Sequence, residues 1–108
     1  MAGQVKTLWI KDAHLAQILA GRKTVEVRVA YSNIARLEAG DSLLLNDAHH
    51  YIIRRIGRYA DFEELLEHED AEAIAPGIPA GELLARMRAI YPPEKEALGA
   101  VALEIEPA

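Results

Sequence analysis

Apolar and polar residues alternate in several short segments of the chain, which is the pattern of half-buried β-strands. In residues 24–29 the three valines fall on one face, while Glu26 and Arg28 share the opposite face. The last alternating segment places Val101, Leu103 and Ile105 on one face. The pattern predicts strands at residues 5–10, 24–29, 42–46, 51–59 and 99–105.

Three other segments repeat their apolar residues with the spacing of an amphipathic helix. The first begins after Asp12, a good N-cap residue, and ends at Gly21. The second, FEELLEHE, follows Asp61. The third covers residues 80–91 and is stopped by Pro92 and the proline after it.

The predicted strands fall into two runs around a helical insertion, which does not follow the βαβα rhythm of a parallel sheet. The order favours an α+β fold with a small, mostly antiparallel β-barrel and about three flanking helices. Residues 47–50 are expected to form a hairpin loop and residues 31–37 a short irregular or helical crossover. The loop APGIPAG is too short to divide the chain, so residues 1–108 are expected to form one domain.

Charge is distributed unevenly along the chain. The net charge of the 108 residues is −5, which argues against a surface coated in positive charge for bulk nucleic-acid binding. Residues 1–58 hold 9 Lys and Arg against 5 Asp and Glu, whereas residues 59–108 hold 3 against 12. The asymmetry indicates a basic surface on an acidic body, although ordinary solvated faces would also produce it.

Several classes of site and location are disfavoured by what the sequence contains. It has no cysteine, which excludes disulfides, thiolate zinc sites and a cysteine nucleophile. His49 and His50 are adjacent and have no partner motif, so no metal site is expected. No apolar run approaches the roughly 20 residues that span a bilayer, and the N-terminus does not resemble a signal peptide. A cytoplasmic protein without a membrane partner is expected.

The segment GRKTVEVR gathers Arg22, Lys23 and Arg28 around one acid, Glu26. The direction of Lys23 depends on the turn that precedes the strand. A lysine beside an arginine and a carboxylate could hold a phosphate or polarise a carbonyl, and the carboxylate could accept protons from an exocyclic amine. A surface ion pair worth roughly 0–1 kcal/mol explains the same spacing, so both interpretations stay open.

Other polar and aromatic residues are weaker candidates. Arg54 and Arg58 are expected to share one strand face, where they could bind phosphates or simply meet solvent. Tyr31 and Tyr91 could line the mouth of a pocket or pack peripherally. Trp9, as a strand residue, is expected in the core.

The order of five short motifs resembles the ASCH family, the activating-signal-cointegrator homology domains. These motifs are AGRKTVEVR, LEAGD, YADFEELL, AIYP and GAVALEIE, and together they span nearly the whole chain. The resemblance implies a PUA-like fold with a cleft beside the barrel at the GRKTVEVR segment. It also implies RNA binding or the handling of modified nucleosides. Some members resemble nucleases, and one bacterial branch hydrolyses N4-acetylcytidine to cytidine and acetate.

The match to that bacterial branch can be followed at three positions. Lys23 matches its catalytic lysine. Glu26 stands where the branch has a threonine thought to be the nucleophile. A carboxylate cannot follow the same acyl-transfer route, although it could activate water as a general base. Glu72 is the nearest match to the catalytic glutamate of the branch, in a region where the loop length differs.

Three functions remain open at this stage. The first is binding of RNA, a nucleotide or a modified nucleoside through a basic cleft centred on GRKTVEVR. The second is hydrolysis of N4-acetylcytidine-like nucleosides or of RNA, with Lys23, Glu26 and Glu72 as catalytic residues. The third is a partner-binding module with an exposed apolar patch. No cofactor is implied and the oligomeric state is open. The ligand-binding residues expected for the first function are Arg22, Thr24, Arg28, Tyr31, Arg54, Arg58 and Tyr91.

Overall fold

A five-stranded mixed sheet curled into a half-barrel forms the centre of the protein, with helices on both of its faces. The computed structural model describes residues 4–108. The α+β class expected from the sequence is confirmed. The elements in chain order are β1 (Val5–Leu8), α1 (Asp12–Leu19), β2 (Val25–Val29), α2 (Ser32–Ala35), β3 (Ser42–Leu45), β4 (His49–Tyr59), α3 (Phe62–His68), α4 (Ala71–Ile74), α5 (Ala80–Ile90), α6 (Pro93–Glu96) and β5 (Ala100–Pro107).

The strands lie in the order β1-β3-β4-β5-β2, and all neighbours are antiparallel except β1 and β3, which run parallel. The expectation of a barrel is wrong in one respect, because β1 and β2 are the two edges of the sheet and do not pair with each other. The alternation of apolar residues predicts strands but carries no information on whether the edge strands meet. A cleft lies beside these two edges.

Each face of the sheet buries its own apolar cluster. On the concave face, Val101, Leu103 and Ile105 of β5 pack with residues of α1 and α2. On the other face, Val25 and Val29 of β2 pack with apolar residues of α3, α4 and α5. β5 is therefore buried on both sides, and β2 turns its valines toward α5. The register of β2 on β5 then turns Glu26 and Arg28 to the concave side, opposite Leu103 and Val101.

The hairpin between β3 and β4 is tighter than expected. Three residues, 46–48, connect the strands. Asn46 and Asp47 have φ values of 52° and 58°, and they are the central left-handed residues of a turn that is closed by a hydrogen bond from Ala48 N–H to the carbonyl of Leu45. The expected loop at residues 47–50 is wrong, because His49 already begins β4. The side chain of Asn46 also bonds both backbone groups of Ile10, which fixes the segment that follows β1.

A β-bulge in β4 changes the direction of its arginines. Ile53 lies opposite Ile105 and Arg55 opposite Glu104, so Arg54 is the extra residue. The expectation that Arg54 and Arg58 share one face is wrong, because the extra residue shifts the alternation between them. Arg54 forms ion pairs with Glu104 and Glu106, whereas Arg58 donates to the carbonyl of Leu37.

Helix count also differs from the expectation of about three. The residues that the structure describes contain six helices, and α2, α4 and α6 are single turns of four residues. A single turn is shorter than the repeat that reveals an amphipathic helix, so its sequence carries no periodic signal. Within residues 4–108, none of these helices has the length and apolarity needed to cross a bilayer.

Candidate functional site

A cleft of about 240 Å³ lies between the segment after β1, the edge strand β2 and helix α5. Its aliphatic and thioether lining consists of Ile10, Val27, Ile74, Leu83, Met87 and Ile90. Its polar lining consists of Lys11, His14, Lys23, Glu26, Arg28 and Tyr91. The cleft therefore combines a hydrophobic wall with a few converging polar groups, which is the usual composition of a small-ligand site.

Lys23 is buried beneath the cleft, with only 5% of its surface exposed. Gly21 ends α1 with a φ of 78°, and the following turn directs Lys23 inward. Lys23 Nζ donates to the carbonyls of Val25 at 2.7 Å and Ile74 at 2.8 Å, and it lies 3.1 Å from Glu26 Oε1. An ammonium group has three N–H bonds, so this lysine has no donor left for a ligand.

Glu26 is held between two cations. Its Oε1 atom contacts Lys23, and its Oε2 atom accepts a hydrogen bond from Arg28 Nε at 2.8 Å. A carboxylate has about four lone-pair sites, so each oxygen keeps one for a further donor. The three side chains form a fixed triad that presents a carboxylate to the cleft.

Arg28 joins the two open edges of the half-barrel. Its Nη2 atom donates to the carbonyl of Trp9, just after β1, at 3.0 Å. Within residues 4–108, two of its five N–H groups have protein acceptors, those used for Glu26 and Trp9. Arg28 lines both the cleft and a second groove, so its remaining N–H groups lie beside two cavities.

Tyr91 closes the cleft from the end of α5. Its ring packs against Phe62, with 5.6 Å between the ring centroids. Burial raises the pKa of the Tyr91 hydroxyl above its ordinary value of 10.0, while Arg28 lowers this pKa and Glu26 raises it further. The hydroxyl is therefore protonated at neutral pH and can donate a hydrogen bond.

Exposed residues surround the cleft. The expectation that Trp9 lies in the core is wrong, because 65% of its surface is exposed. β1 ends at Leu8, so Trp9 lies after the strand and does not follow its alternation. Its side chain lines the cleft. Lys11 and His14 contribute positive or titratable side chains from the start of α1. Neither residue belongs to a motif, and for this reason the sequence did not reveal them.

Two further grooves adjoin the cleft. The second groove shares Trp9, Arg28 and Tyr91 with the cleft and adds Lys6 and Tyr31. Tyr31 thus lies one groove away, where Lys95 sits over its ring at 5.8 Å. The third groove lies between α1 and α5, shares residues of both helices with the cleft, and is larger, at about 490 Å³.

Comparison with known families identifies the type of domain. The family model of the ASCH domain matches residues 8–108, nearly the whole chain. The chain belongs to the ASCH domain family. ASCH domains have a PUA-like fold that is often linked to RNA binding. No curated protein matches the chain.

Two solved structures share the fold of this ASCH domain. The crystal structure of hypothetical protein PH0355 is 28% identical, covers 98% of this chain and 100% of its own, and superposes with a TM-score of 0.90. The solution NMR structure of protein PF0455 from Pyrococcus furiosus is also 28% identical, covers 97% of each chain and has a TM-score of 0.79. The half-barrel architecture is therefore shared by these ASCH-type proteins.

Several residues expected at the site lie elsewhere in this ASCH domain. Arg22 and Thr24 are exposed and do not line the cleft. Glu72, expected as a second catalytic carboxylate, instead accepts a hydrogen bond from the backbone N–H of Gly77 at 3.0 Å. Arg54 and Arg58 form the surface and backbone contacts described above and do not line any of the three cavities. Among residues 4–108, no three His, Asp or Glu side chains lie close enough together to hold a metal ion.

A second polar cluster, which the sequence did not predict, lies on the other face of the sheet. Glu69 belongs to the acidic run after α3, yet it is buried and accepts two hydrogen bonds from Arg55 and one from Tyr59. The hydrogen bonds from Arg55 lower the pKa of Glu69 below its ordinary value of 4.5, against the opposing effect of burial. This cluster ties β4 to the end of α3 and takes no part in the cleft.

Replacing Glu69 with glutamine is expected to reduce the acid sensitivity of the fold. A carboxyl whose folded pKa is lowered stabilises the protein above its unfolded pKa, and that stabilisation disappears as pH falls. The urea midpoint of the wild type should therefore exceed that of Glu69→Gln at pH 7, and the difference should shrink steadily below about pH 4.5. Equal midpoints at pH 7 would show that Glu69 does not stabilise the fold as a carboxylate.

Proposed function

We propose that this ASCH domain binds single-stranded RNA and holds one nucleobase of it in the cleft. The observation that carries the proposal is the fixed Lys23–Glu26–Arg28 triad, which presents a carboxylate beside an exposed tryptophan. The RNA-binding association of the family agrees with this assignment. Each part of the cleft has a counterpart in the chemistry of a nucleotide.

The carboxylate of Glu26 is suited to the polar edge of a base. Carboxylates accept hydrogen bonds from exocyclic amines, as acidic side chains do from the N4 amine of cytosine. Lys23 and Arg28 hold the two oxygens in place, so little conformational entropy is lost when a base binds. Sequence-specific recognition of RNA uses unstacked bases whose edges are reached in this way.

The aromatic and cationic groups around the cleft are suited to the rest of the nucleotide. Trp9 and Tyr91 line the cleft, and stacking of a base on an aromatic ring contributes about 1–3 kcal/mol. Lys11 and the spare N–H groups of Arg28 can contact phosphate oxygens. The cleft holds three cations, Lys11, Lys23 and Arg28, against one carboxylate, although the whole chain carries a net charge of −5. The surface that attracts an anion such as a phosphate is therefore confined to the cleft.

Hydrolysis of an N4-acetylcytidine-like nucleoside has less support. The three N–H groups of Lys23 already have acceptors, so the lysine could polarise a substrate carbonyl only by giving up one of them. Glu26 replaces the threonine nucleophile expected from the bacterial branch, and Glu72 does not line the cleft. Lys23 is better explained as the residue that positions Glu26.

Lys11→Ala is expected to weaken RNA binding and to lower its salt dependence. Trp9 is the single tryptophan, so its fluorescence should change when a short single-stranded RNA is titrated in. Each lost phosphate contact reduces the slope of log K against log salt by about 0.7 for a single strand. Arg28→Gln should lower the affinity about tenfold more than Lys11→Ala does, because it removes a phosphate contact and also the cation that positions Glu26.

Arg54→Ala is the matched control, because it also removes one positive charge but lies on a different surface. Its affinity and salt slope should equal those of the wild type. The RNA should be recovered intact after the titration, since binding requires no cleavage. If Arg54→Ala and Lys11→Ala lost the same RNA affinity, binding would depend on net charge alone, and this result would contradict specific binding in the cleft.

A further inference from the structure

The Lys23–Glu26–Arg28 triad presents its hydrogen-bonding groups to the cleft in a fixed order. Two of the five N–H groups of Arg28 have acceptors among residues 4–108, and one of them donates to Glu26 Oε2 at 2.8 Å. The remaining N–H groups of this guanidinium therefore lie on the Oε2 side of the carboxylate. Oε1 lies on the other side, 3.1 Å from Lys23 Nζ, and the three N–H bonds of this lysine already have acceptors. A ligand meets a donor from Arg28, then the acceptor Oε2, then the acceptor Oε1.

We infer that the base selected by the cleft is guanine. This inference rests on the proposed function, because it requires a base of single-stranded RNA in the cleft. The Watson–Crick edge of guanine presents the acceptor O6, the donor N1–H and the donor N2–H in succession, which is the complement of the order on the protein. O6 accepts from Arg28, N1–H donates to Glu26 Oε2, and N2–H donates to Glu26 Oε1. Both oxygens of the carboxylate then receive a donor from the same base.

The other three bases match this order less completely. Adenine and cytosine each carry one amine beside a ring nitrogen that accepts, so they can bond Arg28 and one oxygen of Glu26 but leave the other oxygen without an aligned donor. Uracil has a single N–H between two carbonyls, so one of its carbonyl oxygens faces a carboxylate oxygen and is repelled. Only 12% of the Glu26 side chain is exposed, so water replaces a missing donor poorly, and an unpaired charged group is costly. The carboxylate therefore discriminates against the wrong bases as well as binding the right one.

The experiment compares short single-stranded RNAs that differ only in the central base, which is guanine, hypoxanthine, adenine, cytosine or uracil between flanking uridines. Calorimetry measures their affinities for the wild-type protein. We expect the guanine RNA to bind most tightly and the hypoxanthine RNA about tenfold more weakly, because hypoxanthine lacks only the N2 amine that donates to Glu26. Equal affinities of these two RNAs, or tighter binding of any other base, would overturn the inference and leave RNA binding in place. Failure of every RNA to bind would overturn the proposed function, and this inference with it.

A pair of matched variants assigns the preference to one carboxylate. Glu26→Gln keeps the shape of the side chain but replaces one acceptor with an amide donor, so the preference for guanine over hypoxanthine should disappear. Glu106→Gln makes the same chemical change at a half-exposed residue that pairs with Arg54 and lies outside the three cavities, so the preference should be retained. An undiminished preference in Glu26→Gln would overturn the inference. Circular dichroism checks the fold of both variants, and the comparison of guanine with hypoxanthine on the wild type decides the inference even if Glu26→Gln unfolds.

Discussion

Replacing Lys23 with methionine is expected to lower the free energy of unfolding by about 3–5 kcal/mol. Methionine keeps much of the side-chain volume but removes the buried ammonium. The carbonyls of Val25 and Ile74 then lose their donor, and Glu26 loses one of its two cations in a site that is largely shielded from water. Removing one partner of a buried ion pair leaves an uncompensated charge, which is the costly case.

Urea unfolding followed by Trp9 fluorescence measures this effect, and Lys11→Met is the control on the same cleft. Lys11 is exposed, so its substitution should change the free energy of unfolding by less than about 0.5 kcal/mol. A Lys23→Met variant as stable as the wild type would show that the contacts of Lys23 contribute little to stability. The lysine could then leave them to contact a ligand, as a catalytic role requires. Because a Lys23 variant is expected to be destabilised, a loss of RNA binding in that variant must be compared with its free energy of unfolding.

Replacing Gly57 with alanine is expected to lower the free energy of unfolding by about 1–3 kcal/mol. Gly57 is buried in β4 directly beneath the second polar cluster. A Cβ atom there would overlap Glu69 Oε2 and would approach the Tyr59 hydroxyl to 2.7 Å. Glu69 is held by Arg55 as well as by Tyr59, so it cannot move aside without breaking charged hydrogen bonds.

Gly81→Ala is the natural comparison for that variant. Gly81 lies in the first turn of α5, and a Cβ atom added there would meet nothing within 4 Å. Alanine is a better helix former than glycine, so this change should stabilise the protein by up to about 1 kcal/mol. Thermal unfolding of both variants checks the contrast. A Gly57→Ala protein as stable as the wild type would show that the Glu69 cluster tolerates displacement.

Local patterns were sufficient to predict most of the fold. The valines of β2 and the alternating residues of β5 lie on the faces that alternation assigned to them, and Gly21 ends α1 as expected. Three features depend on contacts that local patterns do not encode: the open edge between β1 and β2, the bulge at Arg54, and the early end of β1 before Trp9. Each depends on which strands pair and in what register, which is a tertiary property.

The candidate site shows the same division between local and tertiary information. The segment GRKTVEVR could be singled out because its charges cluster, and alternation placed Glu26 and Arg28 together. The burial of Lys23 could not be predicted, because it depends on the carbonyl of Ile74, which lies 51 residues away in the chain. Glu72 was matched through a loop of uncertain length, and the structure assigns it to a turn instead. Trp9 and Lys11 belong to the site because α5 lies opposite them in the folded protein, which the sequence pattern does not encode.

The most direct test of RNA binding in the cleft is an NMR titration of ¹⁵N-labelled protein with a short single-stranded RNA. We expect the largest chemical-shift changes at the Trp9 indole, at Lys11 and at the Arg28 side chain, all of which line the cleft. The arginines of β4 should be little affected, because Arg54 and Arg58 lie outside the three cavities. Changes concentrated at Arg54 and Arg58, with the cleft unperturbed, would contradict the proposed site.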